Sequence, residues 1–201
     1  MLKIYIEQEI IDLIVKTYNP ISIYIVGSSV IGIDNFKDID ILCVFNNNDY
    51  RERLRLYSNK YKVNCEIFHA TKSQVLSRNH RLSYAWSYLK EFRQCIYGED
   101  ILAQFDATDI LSNEIYKNDL CKKIYQDFIT VDQMKSTSGL NFLFKPYRML
   151  IIYYSIINNS YIFTENQIKT LNKVHDARQI DENLYNDCKM FFHNIITEIC
   201  K

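Results

Sequence analysis

Ile6, Ile10, Leu13 and Ile14 recur at helical spacing, and this stripe predicts a helix over residues 2–18 that stops at Asn19-Pro20. The β-branched run 21–26 reads as a short buried strand, broken by Gly27-Ser28-Ser29. A second apolar run, 39–45, reads as another strand closed by the turn Asn46-Asn47-Asn48. Residues 49–58 suggest a short helix with Leu54 on its inner side, 61–69 a third strand, and 72–92 a longer helix. Tyr97-Gly98-Glu99-Asp100 marks a turn and the seam of the chain.

Beyond that seam the strand signal vanishes. Leu120, Ile124, Phe128 and Val131 fit one helical stripe, and Pro146 suits the first turn of a helix reaching about residue 157. Thr164-x-x-Gln167 has the form of a capping box. Leu184, Cys188, Phe191, Ile195 and Ile199 mark the inner side of a last helix. The expected fold is therefore α+β. A mixed sheet flanked by helices forms a first domain over 1–102, and an all-helical bundle forms a second over 103–201.

Composition narrows the choice of partners. The 201 residues, 48% apolar and 24% charged, suffice for a sizeable core, and the scarcity of Gly (4) and Pro (2) argues against a many-turned β sandwich. Lys plus Arg equals Asp plus Glu at 24 each, so the chain lacks the positive excess that long nucleic acids demand. A long nucleic acid is not the expected substrate. The six cysteines form no C-x-x-C pair and read as free thiols of a reduced, cytoplasmic protein. The acidic, amphipathic start is no signal peptide, and no apolar stretch is long enough to span a bilayer. The many aromatic residues permit a homodimer.

The chemistry concentrates in one ordered stretch. A strand ends in Gly27-Ser28-Ser29, a spacer follows, and the next strand opens with Asp38-Ile39-Asp40. Gly27 has no Cβ, so backbone can approach a phosphate there. Ser28 and Ser29 bring hydroxyl and N–H donors. Asp38 and Asp40 alternate along a strand, so both carboxylates share a face, where they repel unless a cation joins them. Mg²⁺ takes such hard oxygens and completes its shell with water and substrate phosphates. Glu66 lies among apolar neighbours in the third strand, where a lone charge is costly unless paired or metal-bound. If that strand lies beside the one bearing the aspartates, three carboxylates gather. Each feature alone is weak; the conjunction in this order is what carries the reading.

That conjunction resembles the signature of the DNA polymerase beta-like nucleotidyltransferase superfamily. The shared pattern is hydrophobic-Gly-Ser, a spacer of nine residues here (Ser29 to Lys37), Asp-hydrophobic-Asp, and a third acid on a later strand. Gly32 and the segment Ile96-Tyr97-Gly98-Glu99-Asp100-Ile101-Leu102 match features of its small bacterial members, so the likeness covers about residues 20–102. It implies that Gly27 and Ser28 bind a triphosphate, that Asp38 and Asp40 hold two Mg²⁺ ions, and that Glu66 holds the catalytic one. Lys37, Ser29 and Glu66 depart from the commoner Ser, Arg and Asp without removing a metal ligand.

The implied activity is transfer of a nucleoside monophosphate, AMP from ATP first of all, to a hydroxyl of a small molecule or protein. The acceptor is expected in a cleft between the halves. Lys145 and Arg148, flanking Pro146, could add phosphate contacts, although an ordinary solvated helix end accounts for them as well. Two other readings stand beside this one: an antitoxin-type nucleotidyltransferase that modifies a partner protein, and an inactive nucleotide-binding module.

Overall fold

The computed structural model describes residues 3–33, 36–49, 51–77, 92–104, 165–176 and 181–199, with six further helical positions between 122 and 133. The chain divides into two compact units, Met1–Asp109 and Ile110–Lys201.

Helix α1 spans Gln8–Tyr18, so residues 3–7, expected within the helix, precede it. It ends at Asn19, whose left-handed backbone (φ 48°) turns its N–H back to Val15 O at 2.9 Å. Asparagine tolerates that conformation better than most residues, which gives the stop a local cause. The buried side is Ile10, Ile11, Ile14 and Tyr18. Leu13, expected on the stripe, is 43% exposed, because at 100° per residue it falls outside the arc centred between Ile11 and Ile14.

Five strands form one mixed sheet. β1 is Ser22–Val26, β2 Asp38–Phe45, β3 Leu56–Ser58, β4 Val63–Thr71 and β5 Arg93–Gly98, in the spatial order β3-β4-β2-β1-β5. β2 and β4 run parallel, and every other pairing is antiparallel. β1 and the later part of β2 are buried on both faces, which is why they read as unbroken apolar runs.

Three expectations fail here. Residues 49–58 form no helix; the segment ends in β3, whose Leu56 is buried opposite Cys65. Burying that leucine in a sheet partner outweighs local helix preference. The region expected to close a helix and enter a turn instead contains β5, an edge strand whose mixed side chains leave no alternation to detect. The long helix expected over 72–92 is, in its described part, only α3, Lys72–Leu76. Thr71 and Gln74 cap it reciprocally, and Ser77 is already extended.

The two faces of the sheet bury different sets. One packs Ile23, Ile25, Ile39, Ile41, Cys43 and Phe45 against α1. The other packs Tyr24, Val26, Leu42, Val44 and Ala70 against Val75 of α3 and against Ile101 and Leu102 of a 3-10 turn.

In the second unit, the described residues include helices α4, Glu165–His175, and α5, Glu182–Ile199. Asp181 Oδ1 accepts the Leu184 N–H at 2.8 Å at the start of α5, and Cys188 is buried along it. The stripes expected around 120–131 and 146–157, and Thr164 of the capping box, lie outside the described side chains. Among the described residues, Cys43, Cys65, Cys95 and Cys188 are free thiols, and no helix is long and apolar enough to cross a membrane.

Candidate active site

β1 ends at Val26, and Gly27 turns the chain into the single helical turn α2, Ser28–Ile31. Gly27 has φ 80°, a conformation side chains oppose, and a Cβ built there would lie 2.0 Å from Asp40 Oδ2. The turn and the second aspartate are therefore in direct contact. Any side chain at residue 27 would occupy the space of the Asp40 carboxylate.

The strand register supplies the other half of the arrangement. Asp40 stands opposite Val26 on β1 and opposite Glu66 on β4, so the three residues form one row across the sheet. Neighbouring strands lie about 4.8 Å apart, which brings the Asp40 and Glu66 backbones to about that distance. Asp38 pairs with Asn64 one step back along the same two strands. Because side chains alternate along a strand, Asp38, Asp40, Asn64 and Glu66 share a face. It is the face of Tyr24 and Leu42. Asp38 and Asp40 are half-buried and Glu66 is exposed.

Ser28 and Ser29 are both buried in the turn. The Ser29 hydroxyl donates to Val26 O at 3.4 Å and so braces the turn itself. The Val30 N–H bonds Gly27 O and the Ile33 N–H bonds Ser28 O, closing the loop on its own backbone.

The three acids form an all-oxygen, hard donor set, suited to Mg²⁺ and poorly suited to soft metals. Among the described residues, no three His, Cys, Asp or Glu side chains are already drawn together closely enough to grip an ion. The register fixes where the backbones stand, and an ion would have to draw the carboxylates inward by rotamer changes. Lys145 and Arg148 lie outside the described residues.

The Tyr97–Leu102 segment acts as a clasp on this half of the protein. Gly98 (φ 76°) crosses so close to β1 that a Cβ would lie 2.0 Å from Ile21 O. The Glu99 carbonyl accepts the Ser22 hydroxyl at 2.5 Å and the Tyr24 hydroxyl at 3.2 Å, while the Leu102 N–H donates to that same Tyr24 oxygen at 3.3 Å. Burial pushes the Tyr24 phenol up to about 12, so it remains a neutral donor and acceptor. Arg93 grips Asp100 with two bonds, Nε to Oδ1 at 3.0 Å and a terminal nitrogen to Oδ2 at 2.7 Å.

Sequence reasoning passed over three residues on the face of the acids: Asn64, Phe68 and Tyr57. The first two follow from Glu66 by alternation alone. Tyr57 was hidden by the helical reading of its segment; it pairs with Asn64 and shares its side of the sheet. Searches with this sequence match no protein-family model and no curated protein.

Proposed function

We propose that this protein is a Mg²⁺-dependent nucleotidyltransferase of the DNA polymerase beta-like superfamily. It would move a nucleoside monophosphate, AMP from ATP in the first instance, to an acceptor hydroxyl and release pyrophosphate. The observation that carries this reading is the contact of Gly27 with Asp40 in the same row that sets Asp40 beside Glu66. That contact supports reading the turn and the acids as one site rather than two distant motifs.

Each residue has a task that follows from its position. Gly27, lacking a Cβ, leaves room for the Asp40 carboxylate against the turn, and the triphosphate would bind beside that contact. Asp38 and Asp40, on adjacent positions of one face, would hold the metal ions. Glu66, across the strand boundary, would help hold the catalytic ion and take the hydroxyl proton. Bound Mg²⁺ supplies charge neutralisation for the leaving pyrophosphate and a lowered pKa for the attacking hydroxyl. The second part of the chain, 103–201, would be an all-helical domain. The two helices described there, α4 and α5, support its helical character.

Calorimetry with ATP, with and without Mg²⁺, tests the reading, together with transfer of label from the α-phosphate. Binding should require Mg²⁺ and weaken at least about tenfold in Asp40→Asn, the scale of losing a charged ligand to a bound ion. Label transfer that persists undiminished in Asp40→Asn would overturn the mechanism.

A further inference from the structure

The acceptor subsite follows from the order of the strands, on the premise that the proposed transfer reaction is correct. Displacement at phosphorus is in line: the attacking oxygen and the departing oxygen lie on opposite sides of the atom transferred. The Gly27 turn belongs to β1, on one side of β2, and Glu66 belongs to β4, on the other. A triphosphate held at the turn sends its pyrophosphate out on the β1 side. The acceptor must therefore approach over β4.

The surface it would cross is unusual for the open face of a sheet. Phe68, two residues beyond Glu66 on the same face, is 47% exposed although its partner Leu42 is buried. Tyr57, on the neighbouring edge strand, is 50% exposed and pairs with Asn64. By register, Phe68 lies two residues beyond Glu66 on β4, and Tyr57 lies opposite Asn64, two residues before it. A solvated strand face would carry polar residues at these positions. Aromatic surface beside polar groups is how proteins hold molecules with one apolar face and one hydrogen-bonding edge.

We infer that Phe68, Tyr57 and Asn64 form the acceptor subsite, and that the acceptor is a hydroxyl compound whose reactive oxygen sits beside an aromatic or otherwise apolar ring. In the step so defined, the acceptor oxygen bonds the α-phosphorus as the bridging bond to the β-phosphate breaks. Pyrophosphate leaves with the bonding pair, and the hydroxyl proton passes to the Glu66 carboxylate.

Ligand-detected NMR on the full chain, saturated with Mg²⁺ and a non-hydrolysable ATP analogue, tests the assignment with two probes. Benzyl alcohol has the ring beside its hydroxyl, and glycerol has hydroxyls alone. Benzyl alcohol should bind and glycerol should not, and Phe68→Ser should weaken the aromatic probe about tenfold, the scale of one lost ring contact. The nucleotide analogue should bind Phe68→Ser within about twofold of the wild type, because the triphosphate lies on the β1 side. Equal binding of both probes, no binding of benzyl alcohol, or an unchanged affinity in Phe68→Ser would overturn the subsite while leaving the transfer reaction standing. Failure of the nucleotide analogue to bind with Mg²⁺ would instead remove the reaction and the subsite together. Phe68 is exposed, so its replacement leaves the core intact, and Tyr57→Ser provides a second, independent variant.

Discussion

An alanine at residue 27 would meet two obstacles at once, a backbone held at φ 80° and the Asp40 carboxylate 2.0 Å from its Cβ. Gly27→Ala should therefore lower stability by roughly 1–3 kcal/mol, read from the urea midpoint. Removing the obstructing carboxylate as well, in Gly27→Ala with Asp40→Ala, should recover part of that loss without restoring Mg²⁺-dependent ATP binding. Strict additivity of the two stability changes would show that the residues do not touch. Glu7 carries a second prediction at this scale. Burial works to raise its pKa, but the Lys60 N–H, its own N–H, the Ser58 hydroxyl and the Asn59 N–H outweigh it and hold the carboxyl below the usual 4.5. A group with a depressed folded pKa stabilises the protein above the unfolded value and loses that contribution as the pH falls through the folded one. Stability measured from neutral to acid pH should thus decline more gently in Glu7→Gln than in the wild type.

At the scale of elements, β5 and the clasp behind it hold the open sheet edge to β1. The Tyr24 hydroxyl links the Glu99 carbonyl to the Leu102 N–H, and both Tyr24 and Leu102 are fully buried. Tyr24→Phe should cost about 1–3 kcal/mol, the penalty for leaving a buried amide without its acceptor. A thermal melt unchanged by Tyr24→Phe would count against the clasp. This region also marks where the sequence was hardest to read. The central strands announce themselves because both faces are buried and nearly every residue is apolar. β5 and β3 sit at the two edges, β3 is only three residues long, and neither carries an apolar run or a readable alternation in sequence. Leu56, taken as part of a helical segment, is in a strand because Cys65 stands opposite it.

For the whole molecule, the described residues of both apolar clusters of the first unit lie between Ile4 and Leu102. A chain cut after Asp109 should therefore still unfold cooperatively, as judged by circular dichroism on heating. Loss of cooperative unfolding on that truncation would mean that the second unit completes the core.

What the amino-acid order settled alone is whatever depends on neighbours along the chain. The apolar runs of β1, β2 and β4 belong to this class. So do the break at Gly27, the alternation that sets Asp38 and Asp40 on one side, and the stop at Asn19. What needed three dimensions is whatever depends on which strands lie together. Nothing in the order of residues says that β4 runs parallel to β2 in the register that faces Glu66 with Asp40. A shift by one residue would have sent Glu66 to the opposite face, buried against α1, because side chains alternate with a period of two. The contact of Gly27 with Asp40 and the exposure of Phe68 and Tyr57 beside the acids arise in the same way, from pairing between segments far apart in sequence.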